Sequence, residues 1–239
     1  MLADYLNRKF YRENEGWSNG STEFRRLIST YIDTTSTVLE IGPGTTSELS
    51  SYVKDNCKSL IGLDVDDRAM DNPLLSECYI YDGITFPFEA DKFKVIIADY
   101  VMEHVELPAE MFSEISRVLM PGGVFIFRTP NTRHYVSAIA HWTPHWFHLK
   151  VANWSRGYPD KELEPYPTIY KSNNEKDIKA LCKKSFLEIT ELHYVEKQPS
   201  YLMFNGFIFF FGIIYERVVN KFSFLRKFRA NLFCIVKST

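Results

Sequence analysis

What the chain has little of narrows it first. Only four of its 239 residues are cysteine, Cys57, Cys78, Cys182 and Cys234, and no two form a Cys-x-x-Cys pair. That excludes a disulfide framework or a cysteine-bound zinc module and predicts reduced thiols in a cytoplasmic protein. Charge of one sign is also lacking: 28 basic residues nearly cancel 30 acidic ones. No global field therefore draws the chain to nucleic acid, and a charged partner must be met by a local patch. The opening stretch, Met1 to Tyr11, has no uninterrupted apolar run because Asp4, Arg8 and Lys9 break it, so a secretory signal is not expected. Repeats and low-complexity tracts are absent too.

What is present reads as one α/β domain over 1–239, near the upper size that a single core supports. From Thr37 onward short β-rich runs alternate with amphipathic stretches, the pattern of a doubly wound, mostly parallel sheet. Val38–Ile41, Leu60–Leu63, Glu77–Ile80, Val95–Ala98 and Val124–Phe127 are the first five strands. Pro108 to Leu119 is the clearest helix, with Met111, Ile115, Val118 and Leu119 on one face and Pro121-Gly-Gly123 as the turn into strand five. A helix over Asn174–Lys184 and strands over Phe186–Glu196 and Asn231–Lys237 complete a seven-stranded count. The expected organisation is an N-terminal cap (1–36), a core (37–131), an aromatic insertion after strand five (132–172) and C-terminal strands (173–239). The last part holds an apolar insertion at 200–225, between strands six and seven. Insertions on such scaffolds commonly carry specificity.

The most informative stretch is Val38-Leu-Glu-Ile-Gly-Pro-Gly-Thr-Thr-Ser-Glu48, a strand entering a glycine turn and then a helix. Gly42 and Gly44 let backbone approach a ligand where a Cβ would collide. Two glycines after a strand also occur in dinucleotide-binding domains, but here Ser47 stands in place of the third glycine and no Lys or Arg lies between Gly42 and Tyr52. Glu40 puts a carboxylate beside the turn, where it repels phosphate and suits a ligand bearing an ammonium and a sulfonium. Asp64, about twenty residues after the turn, stands where an acid accepts hydrogen bonds from ribose hydroxyls. The alternative to a ligand role for Glu40 and Asp64 is a pair of helix-capping or loop-bracing carboxylates, which their joint placement disfavours.

From Val38 to Asn131, about two fifths of the chain, the sequence resembles the class I methyltransferase core, particularly the large group that includes ubiquinone and menaquinone biosynthesis methyltransferases. The matching residues are Glu40-Ile-Gly-Pro-Gly44, Gly62-Leu-Asp64, Tyr81-Asp-Gly83, Ala98-Asp-Tyr-Val-Met-Glu-His104, Pro121-Gly-Gly123 and Thr129-Pro-Asn131. The resemblance implies a Rossmann-like fold and S-adenosyl-L-methionine as cofactor. It implies Glu40, Gly42 and Gly44 at the methionine-binding turn, Asp64 at the ribose, Asp82 and Gly83 at the adenine, and Asp99 and Tyr100 at the methionine end. One departure is Lys94, where relatives usually carry Asp before the fourth strand.

Methyl transfer from a sulfonium is an in-line displacement whose rate comes largely from alignment. A hydroxyl acceptor would gain from a general base, and histidine suits that role near neutrality. His104, His134 and His141 are the leading candidates, with His145 and His148 behind them. The spacing of His141, His145 and His148 suggests a helix face, but Pro144 interrupts it and no acid or cysteine joins them, so no metal site is expected. Trp142, Trp146 and Phe147 read as a cap over an acceptor pocket with the histidines as its polar edge, and Tyr158, Tyr166 and Tyr170 as lining of the same cap or as ordinary packing residues.

Tyr201 to Ile214 is apolar all round if helical, yet shorter than a membrane span requires. Basic residues interleaved with Phe222, Phe224 and Phe228 follow it, a mixture suited to an anionic membrane surface. Two readings stand: a peripheral membrane contact through 200–229 with a lipid-linked acceptor, or a helix buried against the cap or a second subunit. The expected activity is methyl transfer, at oxygen, to a small-molecule, glycan or lipid-linked acceptor, with no nucleic-acid partner. The alternatives are a non-catalytic scaffold subunit that keeps the fold and a nucleotide-dependent oxidoreductase that uses the same turn.

Overall fold

A computed structural model describes residues 2–12, 16–136 and 166–239; His141, His145, His148, Trp142, Trp146, Phe147 and Tyr158 lie outside them. The chain divides into two compact units of non-contiguous segments. One draws on the described residues of Met1–Glu23, Asn131–Pro167 and Tyr194–Asn231, the other on Phe24–Pro130, Thr168–His193 and Leu232–Thr239.

The larger unit is built on a seven-stranded sheet: β1 (Thr37–Ile41), β2 (Ser59–Asp64), β3 (Glu77–Ile80), β4 (Phe93–Asp99), β5 (Leu119–Pro130), β6 (Leu187–Val195) and β7 (Asn231–Ser238). The strand order is β3-β2-β1-β4-β5-β7-β6, and the β3-β2, β2-β1, β1-β4 and β4-β5 pairs are parallel. The central strands are buried on both faces, as parallel strands covered by crossover helices must be: Val38, Leu39, Ile41, Val95, Ile96, Ile97 and Ala98 are all inaccessible. Helices α3 (Glu48–Asn56), α4 (Pro108–Val118) and α5 (Glu175–Lys184) belong to the same unit, as does α2 (Gly20–Ser29) from Phe24 onward. Asn174 is the N-cap of α5 rather than its first residue, its side chain accepting from the Asp177 N–H.

The Pro121-Gly-Gly123 segment departs from expectation. It does not lie between α4 and the fifth strand but inside β5, which already pairs at Leu119↔Phe93 and shifts register before Val124↔Val95. Gly122 has φ +76°, and a Cβ on Gly123 would stand 2.9 Å from the Met120 carbonyl. The glycines thus admit a bulge into a strand that has already begun.

The smaller unit packs α1 (Leu2–Phe10) against α6 (Gly206–Lys221), with Ala3, Leu6 and Tyr11 meeting Phe209 and Ile213. Gly206 permits that approach, since an added Cβ would lie 2.7 Å from the Leu2 Cβ. Asn205 caps α6 by accepting from the Phe207 and Ile208 N–H groups. The apolar stretch that begins at Tyr201 is therefore only partly helix: Ser200–Leu202 form a 3-10 turn, and α6 runs seven residues beyond Ile214. No helix among the described residues is long and apolar enough to cross a membrane.

Candidate cofactor site

The sheet order reverses between β1 and β4, which run in parallel with Glu40 opposite Ile97 and Ile41 opposite Ala98. In open α/β sheets the crevice at such a switch point, beyond the C-terminal strand ends, is where ligands bind. The turn after β1 and the residues that close β4, Asp99 and Tyr100, share that edge.

The turn is braced from several sides. Gly42 and Gly44 both have positive φ, +69° and +57°. The Gly42 N–H donates to the Leu63 carbonyl, and the Gly44 N–H donates to Asp64 Oδ2 at 3.1 Å. Asn72, buried, donates from Nδ2 to the Gly44 carbonyl. A Cβ on Gly42 would stand 2.5 Å from a Val101 methyl, whereas one on Gly44 would meet nothing within 4 Å. Gly42 is thus fixed by packing inside the protein, and Gly44 borders open space.

The two acids differ in how they are satisfied. Asp64 accepts at Oδ2 from Gly44 and at Oδ1 from the Asp66 N–H. Glu40 is nearly inaccessible and accepts at Oε1 from the Ser50 hydroxyl at 3.0 Å, Ser50 being tied in turn to Ser47, the N-cap of α3. Glu40 Oε2 is buried without a hydrogen-bond partner among the described residues. Burial raises the Glu40 carboxyl to about 7; the Ser50 hydrogen bond opposes the shift, and the charges of Asp99 and Asp64 add to it. A buried acceptor without a partner is uncommon and calls for a donor. An ammonium beside Glu40 and ribose hydroxyls beside Asp64 match the charge and hydrogen-bonding capacity present, so the residues fit S-adenosylmethionine.

Asp82 is exposed, and its Oδ1 caps its own loop by accepting from the Ile84 and Thr85 N–H groups, which hold its carboxyl below the usual range. Gly83, at φ +83°, makes that loop possible. Asp99 forms a bidentate pair with Arg128, Oδ1 to Nε at 2.5 Å and Oδ2 to Nη2 at 2.6 Å. The Arg128 guanidinium is buried and lies 4.5 Å from the Tyr100 ring centroid. Tyr100 itself has φ +56°, uncommon for a residue with a side chain and frequent near functional sites.

Three residues here have no counterpart in the sequence expectations, Ser50, Asn72 and Arg128, and Glu103 stands there only as part of the Ala98–His104 motif, without a role of its own. An arginine inside an apolar strand is the one readable signal among them, because a buried charge needs a partner. Glu103, buried just before His104, accepts at Oε2 from the Thr129 hydroxyl at 3.2 Å, and Asn173 donates to that hydroxyl at 2.5 Å. Burial raises the Glu103 carboxyl to about 7 as well.

The histidine candidates separate. His104 is half-buried in the larger unit, its N–H donating to the Val101 carbonyl. His134 belongs to the smaller unit and is only 2% exposed. The Val136 N–H donates to its Nδ1, so Nε2 carries the proton and faces Glu196 Oε2 and the Tyr201 hydroxyl, each at 3.3 Å. Among the described residues no cluster of His, Cys, Asp or Glu could hold a metal ion.

A family model described as a methyltransferase domain matches residues 14–191. The chain belongs to this family, within the class I methyltransferases, and S-adenosyl-L-methionine is the cofactor. No curated protein matches the sequence. Solved structures share the fold at low identity. A Haloferax volcanii methyltransferase bound to an activator protein is 13% identical, with a TM-score of 0.57 over 90% of this chain and 88% of its own. A Bacillus halodurans protein described as a methyltransferase is 15% identical, with a TM-score of 0.55 over 91% of this chain and 99% of its own. Geranyl diphosphate C-methyltransferase from Streptomyces coelicolor, solved with Mg2+, geranyl diphosphate and S-adenosyl-L-homocysteine, is 13% identical, with a TM-score of 0.55 over 92% of this chain and 78% of its own.

Proposed function

We propose that the chain methylates an oxygen of a small-molecule, glycan or lipid-linked acceptor as a cytoplasmic enzyme that works at a membrane surface, using the cofactor cradle described above. The observation that carries the cofactor assignment is the unpartnered Oε2 of Glu40 beside a glycine turn with open space at Gly44.

The bound cofactor supplies an electrophilic methyl on a sulfonium. Glu40 holds the ammonium end, and a cation there draws its carboxyl into the ionised form. Gly42 and Gly44 bring backbone to the ligand, Asp64 takes the ribose hydroxyls, and Asp82 with Gly83 faces the adenine. Asp99, fixed by Arg128, and Tyr100 shape the methionine end. His104, beyond β4 in the same unit, is the base we assign to the acceptor hydroxyl, and it alone carries the oxygen assignment; the Streptomyces relative is by its name a C-methyltransferase. That relative's geranyl diphosphate agrees with a lipid-like acceptor.

Calorimetric titration with S-adenosylhomocysteine tests the cradle. Wild-type protein should bind it, and Asp64→Ala should bind on the order of a hundredfold more weakly, since each hydrogen bond lost to a charged group costs roughly 1.5 to 3 kcal/mol. No heat and no thermal shift with the wild-type chain would overturn the catalytic reading in favour of a scaffold subunit. With cofactor bound, a screen of phenols and lipid-linked glycans that yields a methyl ether, lost in His104→Ala, supports oxygen transfer; a carbon- or nitrogen-methylated product rejects it.

A further inference from the structure

Helix α6 buries one face and leaves the opposite one uncovered. Phe209, Gly212, Ile213, Glu216 and Val219 point into the smaller unit. On the other side Phe207, Phe211, Ile214 and Val218 follow at helical spacing and are exposed, with Phe207 73% and Phe211 67% accessible. Solvent-facing helix surfaces are normally polar, so this one is out of place in water. The apolar surface continues through Phe222, Phe224 and Phe228, Phe224 being 74% exposed, and Leu2 and Tyr5 of the neighbouring α1 are exposed too. A contiguous patch of this kind marks an interaction site.

The charges around the patch choose its occupant. Residues 206–229 hold five basic side chains, Arg217, Lys221, Arg226, Lys227 and Arg229, and one acid, Glu216. Glu216 is buried, accepting from the Tyr11 hydroxyl and Asn220 and pairing with Arg217 Nε at 3.3 Å, which leaves the other four basic side chains in excess. Arg217, Lys221, Arg226 and Lys227 are exposed, and α1 adds Arg8 and Lys9 against Asp4. A chain of net charge −2 thus carries an excess of positive side chains on the same segments as this exposed apolar face. A two-fold dimer would set this patch against its own copy, like charge facing like. An anionic bilayer answers both features, taking the phenyl rings at the acyl boundary and the basic groups at the headgroups. Sixteen residues of helix extend about 24 Å, short of the roughly 30 Å of a hydrocarbon core, so α6 would lie in the interface plane.

We infer that the outer face of α6, with the Phe222–Phe228 turn, seats the protein on an anionic lipid surface. This inference rests on the reading of 200–229 as a membrane-contacting segment and adds the face, its orientation and the lipid charge. The test is co-sedimentation of the full chain with phosphatidylcholine vesicles, with and without phosphatidylserine. Binding should require phosphatidylserine and weaken at high salt. Replacing both Phe207 and Phe211 with Ser should reduce it at least about tenfold. Lys221→Gln with Arg226→Gln and Lys227→Gln should reduce it on the order of a hundredfold, each basic group contributing roughly fivefold. All these side chains are exposed, and unchanged melting temperatures would confirm intact folding. Equal binding to neutral vesicles would overturn the anionic specificity while leaving membrane contact standing. Absence of binding, with self-association abolished by the Phe207 and Phe211 substitutions, would overturn both and make the patch a dimer interface.

Discussion

Two regions of the molecule bury polar groups, and they do it in opposite ways. In the smaller unit His134 has partners at both ring nitrogens, and Glu196 Oε2 faces His134 while also accepting from the Ala230 N–H at 2.8 Å. Tyr201 donates to Tyr135, and Tyr215 donates to the Phe228 carbonyl. In the larger unit Glu40 is as deeply buried as Glu196, yet one of its oxygens has no partner among the described residues. Paired groups hold a structure together, whereas the orphan costs stability until a ligand supplies the missing donor. The contrast sets carboxylates whose partners are all within the protein against one that still has an acceptor to offer, the property on which its proposed role at the cofactor rests.

Substituting each carboxylate sharpens that contrast, because the effects should have opposite sign. Glu196→Ala removes the acceptor for two donors and should lower stability by about 3 kcal/mol, a fall of roughly 6 to 12 °C in Tm for a chain of this size. Glu40→Gln should instead raise the stability of the ligand-free protein above neutral pH. The folded chain favours protonated Glu40, whose pKa rises from 4.5 to about 7. Its contribution is therefore full below pH 4.5 and is lost as pH rises through 7. The loss is on the order of 3 kcal/mol, and Glu103, shifted alike, adds to it. Melting curves at pH 5 and pH 8 should show the wild type declining and Glu40→Gln declining less. Equal declines would mean that Glu40 is not the titrating group. The smaller companion effect is on binding: S-adenosylhomocysteine affinity should strengthen about tenfold per pH unit up to 7 and then level, a dependence absent in Glu40→Gln.

The sheet is legible in the sequence because buried parallel strands read as short apolar runs, and Asp64 closes β2 where the pattern places it. Positive φ at Gly42 and Gly44 is legible for the same local reason. The Pro121-Gly-Gly123 bulge is not, since the same three residues serve equally as a turn and only the pairing of Leu119 with Phe93 distinguishes the two. Ser50 and Asn72 carry no signal: their roles depend on Glu40, ten residues away from Ser50, and on Gly44, twenty-eight from Asn72. The drawing together of α1 and α6 is equally hidden, because periodicity reports which face of a helix is apolar and not which distant helix will cover it.

The glycines offer the finest division of the same kind. Both sit at positive φ, so alanine at either should cost about 1 kcal/mol in backbone strain alone. At Gly42 the new methyl would also stand 2.5 Å from Val101, and the added clash should make Gly42→Ala the less stable variant by a further 1 to 3 kcal/mol, roughly. At Gly44 nothing lies within 4 Å, so Gly44→Ala should melt close to the strain cost and no lower. On the proposed placement of the cofactor its damage should appear in binding instead, because the methyl would enter the open side of the turn assigned to the ligand. If Gly44→Ala bound S-adenosylhomocysteine as tightly as wild type, the open side of the turn would not be the cofactor's side, and Glu40 Oε2 would need another donor.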